Sequence, residues 1–481
     1  MSILTISLSV IILLNVVLAG FVIFLERRDV GATWAWLLVL LFIPVVGFIL
    51  YLIFGQNLSR RKIFDWKDQE KIGIKEITHT QIELLSNSIF PFNDRRTAEF
   101  KDLIYMLLVN DGAVLTQDND VEIFIDGKEK FDALIKDMEA AEDHIHLVYY
   151  IIRNDELGKK IMSTLVKKAK EGLEVRLLFD AMGSRGLPKR FFTALIHAGG
   201  KVSSFFPAKI PLLNMRVNFR NHRKLAIIDG KTGYIGGFNI GDEYLGLDKN
   251  FGYWRDTHLR IVGKAVYGMQ TRFVLDWNQA SARKVKYNVK YFPEIEFEGE
   301  TDVQIVSSGP DSEWEQIKYA YVKMINSAKN YIYIQTPYFI PDGSVLDALK
   351  IAALSGVDVR VMIPNKPDHM FVYWATYSHV GEVLKAGARV YVYENGFIHA
   401  KTLVVDGKVS TVGTANIDVR SFRLNFEVNA FIYSQPIAGR LEKIFLDDMM
   451  NSQEITKVAY EERPLIIRFK ESVSRLLSPI L

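Results

Sequence analysis

The chain has 481 residues, no cysteine and a formal net charge of +3, with 49% hydrophobic and 24% charged side chains. These values exclude a disulfide scaffold, a thiolate nucleophile, a cysteine-ligated metal, a disordered chain and a broadly basic nucleic-acid surface. Length alone predicts about two to four domains.

Residues 3–25 and 30–54 are runs of 23 and 25 residues without a charge. At 1.5 Å per residue, either is long enough for a bilayer core of about 30 Å. Glu26, Arg27, Arg28 and Asp29 join the two runs, and Arg60, Arg61 and Lys62 follow the second. The positive-inside rule places the joining loop outside and the rest of the chain in the cytoplasm. Trp34, Trp36 and Tyr51 suit the membrane interfaces, and Pro44 a kink. A cleaved signal peptide would need a basic leading segment and a small-residue cleavage site, and the sequence offers neither. A multi-pass cell-membrane protein is expected, with a transmembrane hairpin over residues 1–56 and a juxtamembrane linker over 57–110.

Beyond the linker, apolar periodicity predicts helices alternating with short β-rich runs. The order is helix 131–141, strand 144–152, helix 158–171, strand 174–180 and a helix ending at the glycine pair Gly199-Gly200. A similar order follows: helix 313–329, strand 331–335, helix 344–355, strand 357–363, helix 380–387 and strand 389–393. Glu174-Val-Arg-Leu-Leu matches Asp358-Val-Arg-Val-Met, and Ala198-Gly-Gly-Lys-Val matches Ala386-Gly-Ala-Arg-Val. The expected fold is α/β. Two similar halves, 111–295 and 296–455, pack around a pseudo-twofold axis, each with a mixed, mostly parallel sheet and helices on both faces. Residues 456–481 form an amphipathic C-terminal helix, from Leu465, Phe469, Val473, Leu476, Leu477 and Ile480 at helical spacing. Docking on the second half and membrane contact are both open to it. The same choice, membrane headgroups or domain packing, applies to a basic and apolar insertion at 209–216.

Each half ends in the same motif. The first reads His222-x-Lys224, four residues, Asp229-Gly230, then Gly236 and Asn239. The second reads His399-x-Lys401, four residues, Asp406-Gly407, then Gly413 and Asn416. A third element aligns Asp256 with Glu427. His and Lys two apart on a strand point to one face, while Leu225, Ile227, Thr402 and Val404 point to the other. Asp-Gly supplies a hairpin turn. Two facing halves would pool two imidazoles, two ammoniums and two amides, a set suited to a phosphodiester. Other histidines, His144, His146, His197 and His379, lack such a repeat and read as structural. His-x-Lys is a poor metal site, because Lys is a weak ligand at neutral pH.

These residues resemble the phospholipase D superfamily, whose signature is the duplicated HxKxxxxD motif. With the two N-terminal spans and Gly-Gly-Phe-Asn-Ile-Gly-Asp-Glu-Tyr at 236–244, the chain looks like a bacterial cardiolipin synthase. It departs from the superfamily at Gly413-Thr414, where Gly-Ser is frequent, and a hydroxyl is kept. The resemblance implies two phospholipase D-like halves and a phosphatidyltransferase needing neither metal nor cofactor. One phosphatidylglycerol gives its phosphatidyl group to a histidine, and a second takes it, yielding cardiolipin and glycerol. It implies His222 as nucleophile and His399 as acid and then base, with the reverse left open by the symmetry of the motifs. Lys224, Lys401, Asn239 and Asn416 would hold the phosphate, and Asp256 and Glu427 would fix the imidazole tautomers. Asp229 and Asp406 belong to the catalytic signature, but their place at the turn suits a structural role equally. Partners are the membrane lipids phosphatidylglycerol and cardiolipin, with no nucleic acid. The alternatives are a phospholipase D-type hydrolase, another phosphatidyltransferase on the same scaffold, and a membrane-anchored interaction protein with a dead site. Tyr149-Tyr150 and Tyr338-Phe339 read equally as core or pocket wall. Asp242-Glu243 reads as a turn-capping pair, or as a contact to substrate glycerol.

Overall fold

The computed structural model describes residues 73–207, 218–295 and 299–478, a helix at Val30–Phe42 and isolated positions around it. The first expected span, the loop at 26–29, most of the second span beyond residue 43, the basic cluster at 60–62 and the 209–216 insertion lie outside these residues. Among the described residues, no helix is long and apolar enough to cross a membrane.

In the first half the strands are β1 (Thr116–Phe124), β2 (His144–Tyr149), β3 (Glu174–Asp180), β4 (Lys201–Phe205), β5 (Leu225–Ile228), β6 (Thr232–Gly236) and β7 (His258–Val262). The second half has β8 (Thr301–Ser308), β9 (Tyr331–Gln335), β10 (Asp358–Pro364), β11 (Arg389–Tyr393), β12 (Thr402–Val405), β13 (Val409–Gly413), β14 (Asn425–Tyr433) and β15 (Ser452–Ile455). All join one sheet in the order β15-β11-β10-β9-β12-β13-β14-β8-β1-β7-β6-β5-β2-β3-β4. Outward from the central antiparallel pair β8–β1, the two arms match strand for strand, with β15 added at one edge. The duplication read from the sequence is therefore a dyad running between β1 and β8.

Two expectations need correction. The halves share one continuous sheet rather than owning one each. Along it, four neighbouring pairs are parallel and ten antiparallel, so the sheet is mixed but not mostly parallel. The parallel pairs lie where helices intervene between strands. The inner strands are antiparallel because each motif is itself a hairpin, β5–β6 and β12–β13, with a turn too short for a crossover.

After Val30–Phe42, the longer helices are α1 (Ile74–Ser86), α2 (Lys101–Asp111), α3 (Gly127–Ala140), α4 (Glu156–Lys170), α5 (Ala265–Ala280), α6 (Gln316–Ser327), α7 (Gly343–Leu354), α8 (Met370–Lys385), α9 (Gln435–Met449) and α10 (Leu465–Leu476). Asp126, Asp155 and Asp342 cap α3, α4 and α7 by accepting backbone N–H bonds. α8 begins ten residues before its expected start, because the run at 371–377, weak in helix propensity, is anchored by the buried Ala375 and Thr376 and by Tyr377 against the core. One core lies under both halves, joining Leu225, Ile227, Met269 and Phe273 to Val404, Phe426, Val428 and Leu441. Separate cores fill the opposite face of each half. Covered on both sides, β2, β5, β12 and β14 are buried throughout, including the polar residues His144, His146, Glu427 and Asn429.

Candidate active site

The two motif histidines meet at one cavity of about 500 Å3 on the dyad. Short backbone pairings bring them there. Arg220–Asn221 runs parallel to the start of β14, and the His222 N–H donates to the Phe426 carbonyl at 3.0 Å. Likewise Trp254–Arg255 pairs with Phe397–Ile398, and the His399 N–H donates to the Arg255 carbonyl at 2.7 Å. The next residue along each partner strand is a carboxylate. Each histidine is thereby bonded to a carboxylate of the opposite half. His222 Nδ1 lies 3.0 Å from both Glu427 oxygens, and His399 Nδ1 lies 2.7 Å from Asp256 Oδ2.

Both carboxylates are fully buried. Burial pushes them up, but Lys401 and His399 hold Asp256 below its ordinary value, and His222 and Lys224 do the same for Glu427. As ionised acceptors they favour a proton on Nδ1 and a lone pair on Nε2; at His399 the Lys401 Nζ also lies 2.8 Å from Nδ1. Burial lowers both imidazoles. At each a lysine adds to the shift and the carboxylate opposes it: Lys224 against Glu427 at His222, and Lys401 against Asp256 at His399, which falls to about 4. Glu427 is itself held by the Thr414 hydroxyl at 2.5 Å and the Asn425 amide at 3.1 Å. Asp256 accepts from the Thr257 N–H at 2.7 Å.

Lys224 and Lys401 are buried beside the histidines, behind the cavity lining, and each donates to the carbonyl of its own histidine. Burial pulls Lys224 down to about 7 and Lys401 to about 8. Asn239 and Asn416 line the cavity. Asn239 Oδ1 accepts from the Ile151 N–H at 3.1 Å, and Asn416 Nδ2 donates to Asp418 at 3.0 Å.

Asp229 and Asp406 are placed away from the cavity, at their hairpin turns. Each sits at its hairpin turn with φ near 50° (53° and 52°), followed by a glycine at 65° or 60°, as in a type I′ turn. Asp229 accepts from the N–H groups of Glu142, Asp143 and His144 at 2.8–2.9 Å. Asp406 accepts from those of Lys329, Asn330 and Tyr331 at 2.7–2.8 Å. The carboxylate thus ties the hairpin to the start of β2 or β9, and neither residue lines the cavity.

Of the paired aromatics, Tyr149 and Phe339 are core, while Tyr150 and Tyr338 line the cavity. The Tyr150 ring lies edge-on to His222 at 4.9 Å. Asp242 caps α4 through the Leu157 N–H, and Glu243 lines the cavity, so that pair divides between the two readings. His144 and His146 bond Gln270 away from the cavity. Sequence reasoning missed Arg220 and Arg420, cations in the cavity wall. Arg220 stands two residues before His222, so strand alternation already placed it on the same face.

A family profile described as a cardiolipin synthase, phospholipase D-like domain matches residues 134–277 and 321–449. Another, described as a phospholipase D-nuclease N-terminal region, matches residues 13–56. The chain is 63% identical to the cardiolipin synthase of Listeria monocytogenes serotype 4b and 61% identical to the major cardiolipin synthase of Bacillus subtilis, over 100% of both chains in each case. A phosphatidylserine synthase structure from Haemophilus influenzae shares the fold, with TM-score 0.62 and 15% identity over 81% of this chain and 100% of its own. With its two phospholipase D-like halves, the chain belongs to the cardiolipin synthase family of the phospholipase D superfamily.

Proposed function

We propose that this cardiolipin synthase joins two phosphatidylglycerol molecules through a phosphatidyl-histidine on His222. The observation that carries the reading is the crossed anchoring: two buried carboxylates each meet the Nδ1 of the opposite half's histidine, and both histidines line one cavity. In the first step His222 Nε2 forms a bond to phosphorus and the bond to the headgroup glycerol oxygen breaks. His399, protonated at Nε2, gives that oxygen its proton. In the second step a hydroxyl of another phosphatidylglycerol attacks phosphorus, His399 takes its proton, and His222 leaves. Lys224, Lys401, Asn239 and Asn416 stabilise the non-bridging oxygens. Charge on an incoming phosphodiester raises the proton affinity of both lysines and of His399, which keeps the lysines cationic and charges the acid only when substrate is present. His222 is taken as the nucleophile, its Nδ1 met by both oxygens of Glu427, and His399 as the acid, its Nδ1 met by one oxygen of Asp256.

Asp229 and Asp406 act as hinge pins of the motif rather than as reactants. Residues 111–295 and 296–455 are the two halves, a division supported by the mirrored strand order on either side of it. Residues 3–25 and 30–54 span the membrane and leave the catalytic halves in the cytoplasm, supported by the charge asymmetry around them. A cysteine at Asp29 should then react with an impermeant reagent outside intact cells, and one at Lys67 should not.

The chemistry is tested with purified full-length protein and phosphatidylglycerol alone. Cardiolipin and glycerol should appear in equal amounts. Phosphatidic acid as the main product would instead establish the hydrolase.

A further inference from the structure

The C-terminal helix is inside out. The residues buried on the protein side of α10 are Glu471, Ser474 and, just past its end, Ser478, all polar, with Ile467 and Leu477 half-buried beside them. Glu471 accepts from Arg463 at 2.6 and 2.9 Å, and Ser478 lies 3.5 Å from His379 on α8. The apolar stripe faces away: Leu465 and Leu476 are 80% exposed and Phe469 65%, with Ile466 and Val473 between them. A surface helix of a soluble domain buries its apolar stripe, since that burial is what holds it to the protein. Here polar contacts hold the helix, and an unbroken apolar stripe is left uncovered.

The stripe leads towards the catalytic cavity. α10 packs along α8, where Lys470 Nζ sits 5.3 Å over the Trp374 ring. Phe371, one turn before Trp374, and Met370 beside it are more than half exposed. Their immediate neighbours His369 and Val372 line the cavity. Apolar surface therefore continues from α10 to the cavity mouth, flanked by Arg468 and Lys470, while Arg475 pairs with Glu382 of α8 at 3.2 Å. Apolar residues flanked by lysine and arginine suit the boundary of an anionic bilayer.

We propose that α10 and the first turn of α8 lie in the headgroup region of an anionic lipid bilayer and hold the cavity mouth against it. The proposal rests on the lipid-to-lipid transfer read above. A substrate that keeps its acyl chains in the bilayer then reaches the two histidines with only its headgroup withdrawn. The alternative cover, protein from another segment or a second copy, would not need basic residues among the apolar ones.

The chain has no cysteine, so single labels are unambiguous. Full-length protein is reconstituted into phosphatidylglycerol–phosphatidylcholine vesicles with a fluorophore on Phe469→Cys, or on Lys159→Cys of α4 as reference. Bromine placed high on the lipid chains should quench the first probe several-fold more than the second. Equal quenching of both by aqueous iodide, with no excess from lipid bromine, would overturn the proposal. So would shielding of Phe469→Cys from both quenchers, which would mean a protein cover. Leu465→Ser/Phe469→Ser/Leu476→Ser should lose roughly tenfold in transfer on vesicles but stay within about twofold in detergent micelles. Equal loss in both would also reject it. The quenching needs no turnover, so a wild-type protein without transferase activity would sink the catalytic reading and leave this test standing.

Discussion

The two halves of the catalytic centre carry one motif but are not copies of each other. Around His222 the anchoring acid is a glutamate, held by the Thr414 hydroxyl and meeting the imidazole with both oxygens. Around His399 it is an aspartate, one methylene shorter, and Thr414 has its counterpart in Gly237. A Cβ at Gly237 would stand 1.9 Å from Asp256 Oδ1, so the carboxylate occupies the space a side chain would need. Glu with Thr and Asp with Gly are matched sets. The arginine behind each carboxylate also changes origin. Arg223, from the His-x-Lys segment, donates to the Glu427 carbonyl and pairs with Asp276 at 2.7 Å. Its counterpart is Ala400, and that role falls to Arg255 on the carboxylate strand, which donates to the Asp256 carbonyl and pairs with Asp448 at 2.7 Å. Duplication supplied two equal imidazoles, and the side chains that hold them are no longer alike.

The largest effect expected from this asymmetry is on the covalent intermediate. His222→Ala and His399→Ala should each cost about a thousandfold or more in transfer, because the pair acts as a unit. They should differ with a donor whose leaving group needs no proton. His399→Ala should then accumulate phosphatidyl on His222, located by peptide mass, and His222→Ala should accumulate none. An adduct on His399 alone would exchange the two roles.

The matched sets are tested next. Gly237→Ala should displace Asp256 from His399 and lower kcat roughly a hundredfold, since misplacing a reacting group by an ångström has effects of that order. Thr414→Ala removes one hydrogen bond from a carboxylate that keeps others, and should lower kcat by about tenfold. Thr414→Ser keeps the hydroxyl and should stay near wild type. Equal losses for Gly237→Ala and Thr414→Ala would show that the half-sites are interchangeable.

The pH profile should be lopsided. Burial lowers both histidines, so the neutral imidazole of the free enzyme persists below 6.5 and kcat/KM should hold on the acid side to below that value. On the alkaline side kcat/KM should fall first with the free enzyme's loss of the His399 proton, held only at about 4, and further as Lys224, at about 7, and Lys401, at about 8, lose theirs. The kcat profile, which reports the loaded enzyme, should extend further up. Stability carries the linked sign. His399 binds its proton more weakly folded than unfolded, so its contribution is present above about 6.5 and lost as pH falls through about 4.

The smallest catalytic effect should come from the motif aspartates. Asp229→Asn and Asp406→Asn each weaken a three-bond cap and should destabilise by about 1–3 kcal/mol, seen as a lower melting temperature. kcat of the folded variants should stay within a few-fold. A large drop in kcat without loss of stability would return these residues to the chemistry.

The sequence by itself carried the duplication, the paired motifs, the helix–strand order and the hairpin turns. All of these are local, expressed in periodicity and short spacing that one stretch of chain displays unaided. It also aligned Asp256 with Glu427, but not that each serves the histidine of the other half. That pairing joins residues 205 and 143 positions apart through strands that meet only at the dyad. The single sheet, its antiparallel interior and the switch from Arg223 to Arg255 were hidden for the same reason: register between distant strands is set by the collapse of a shared core. The C-terminal helix is the sharpest case. Its amphipathic pattern was plain in the sequence, but a pattern does not say which face turns inward. Only the ion pair of Glu471 with Arg463 and the packing against α8 fixed the polar side inward and left the apolar side out.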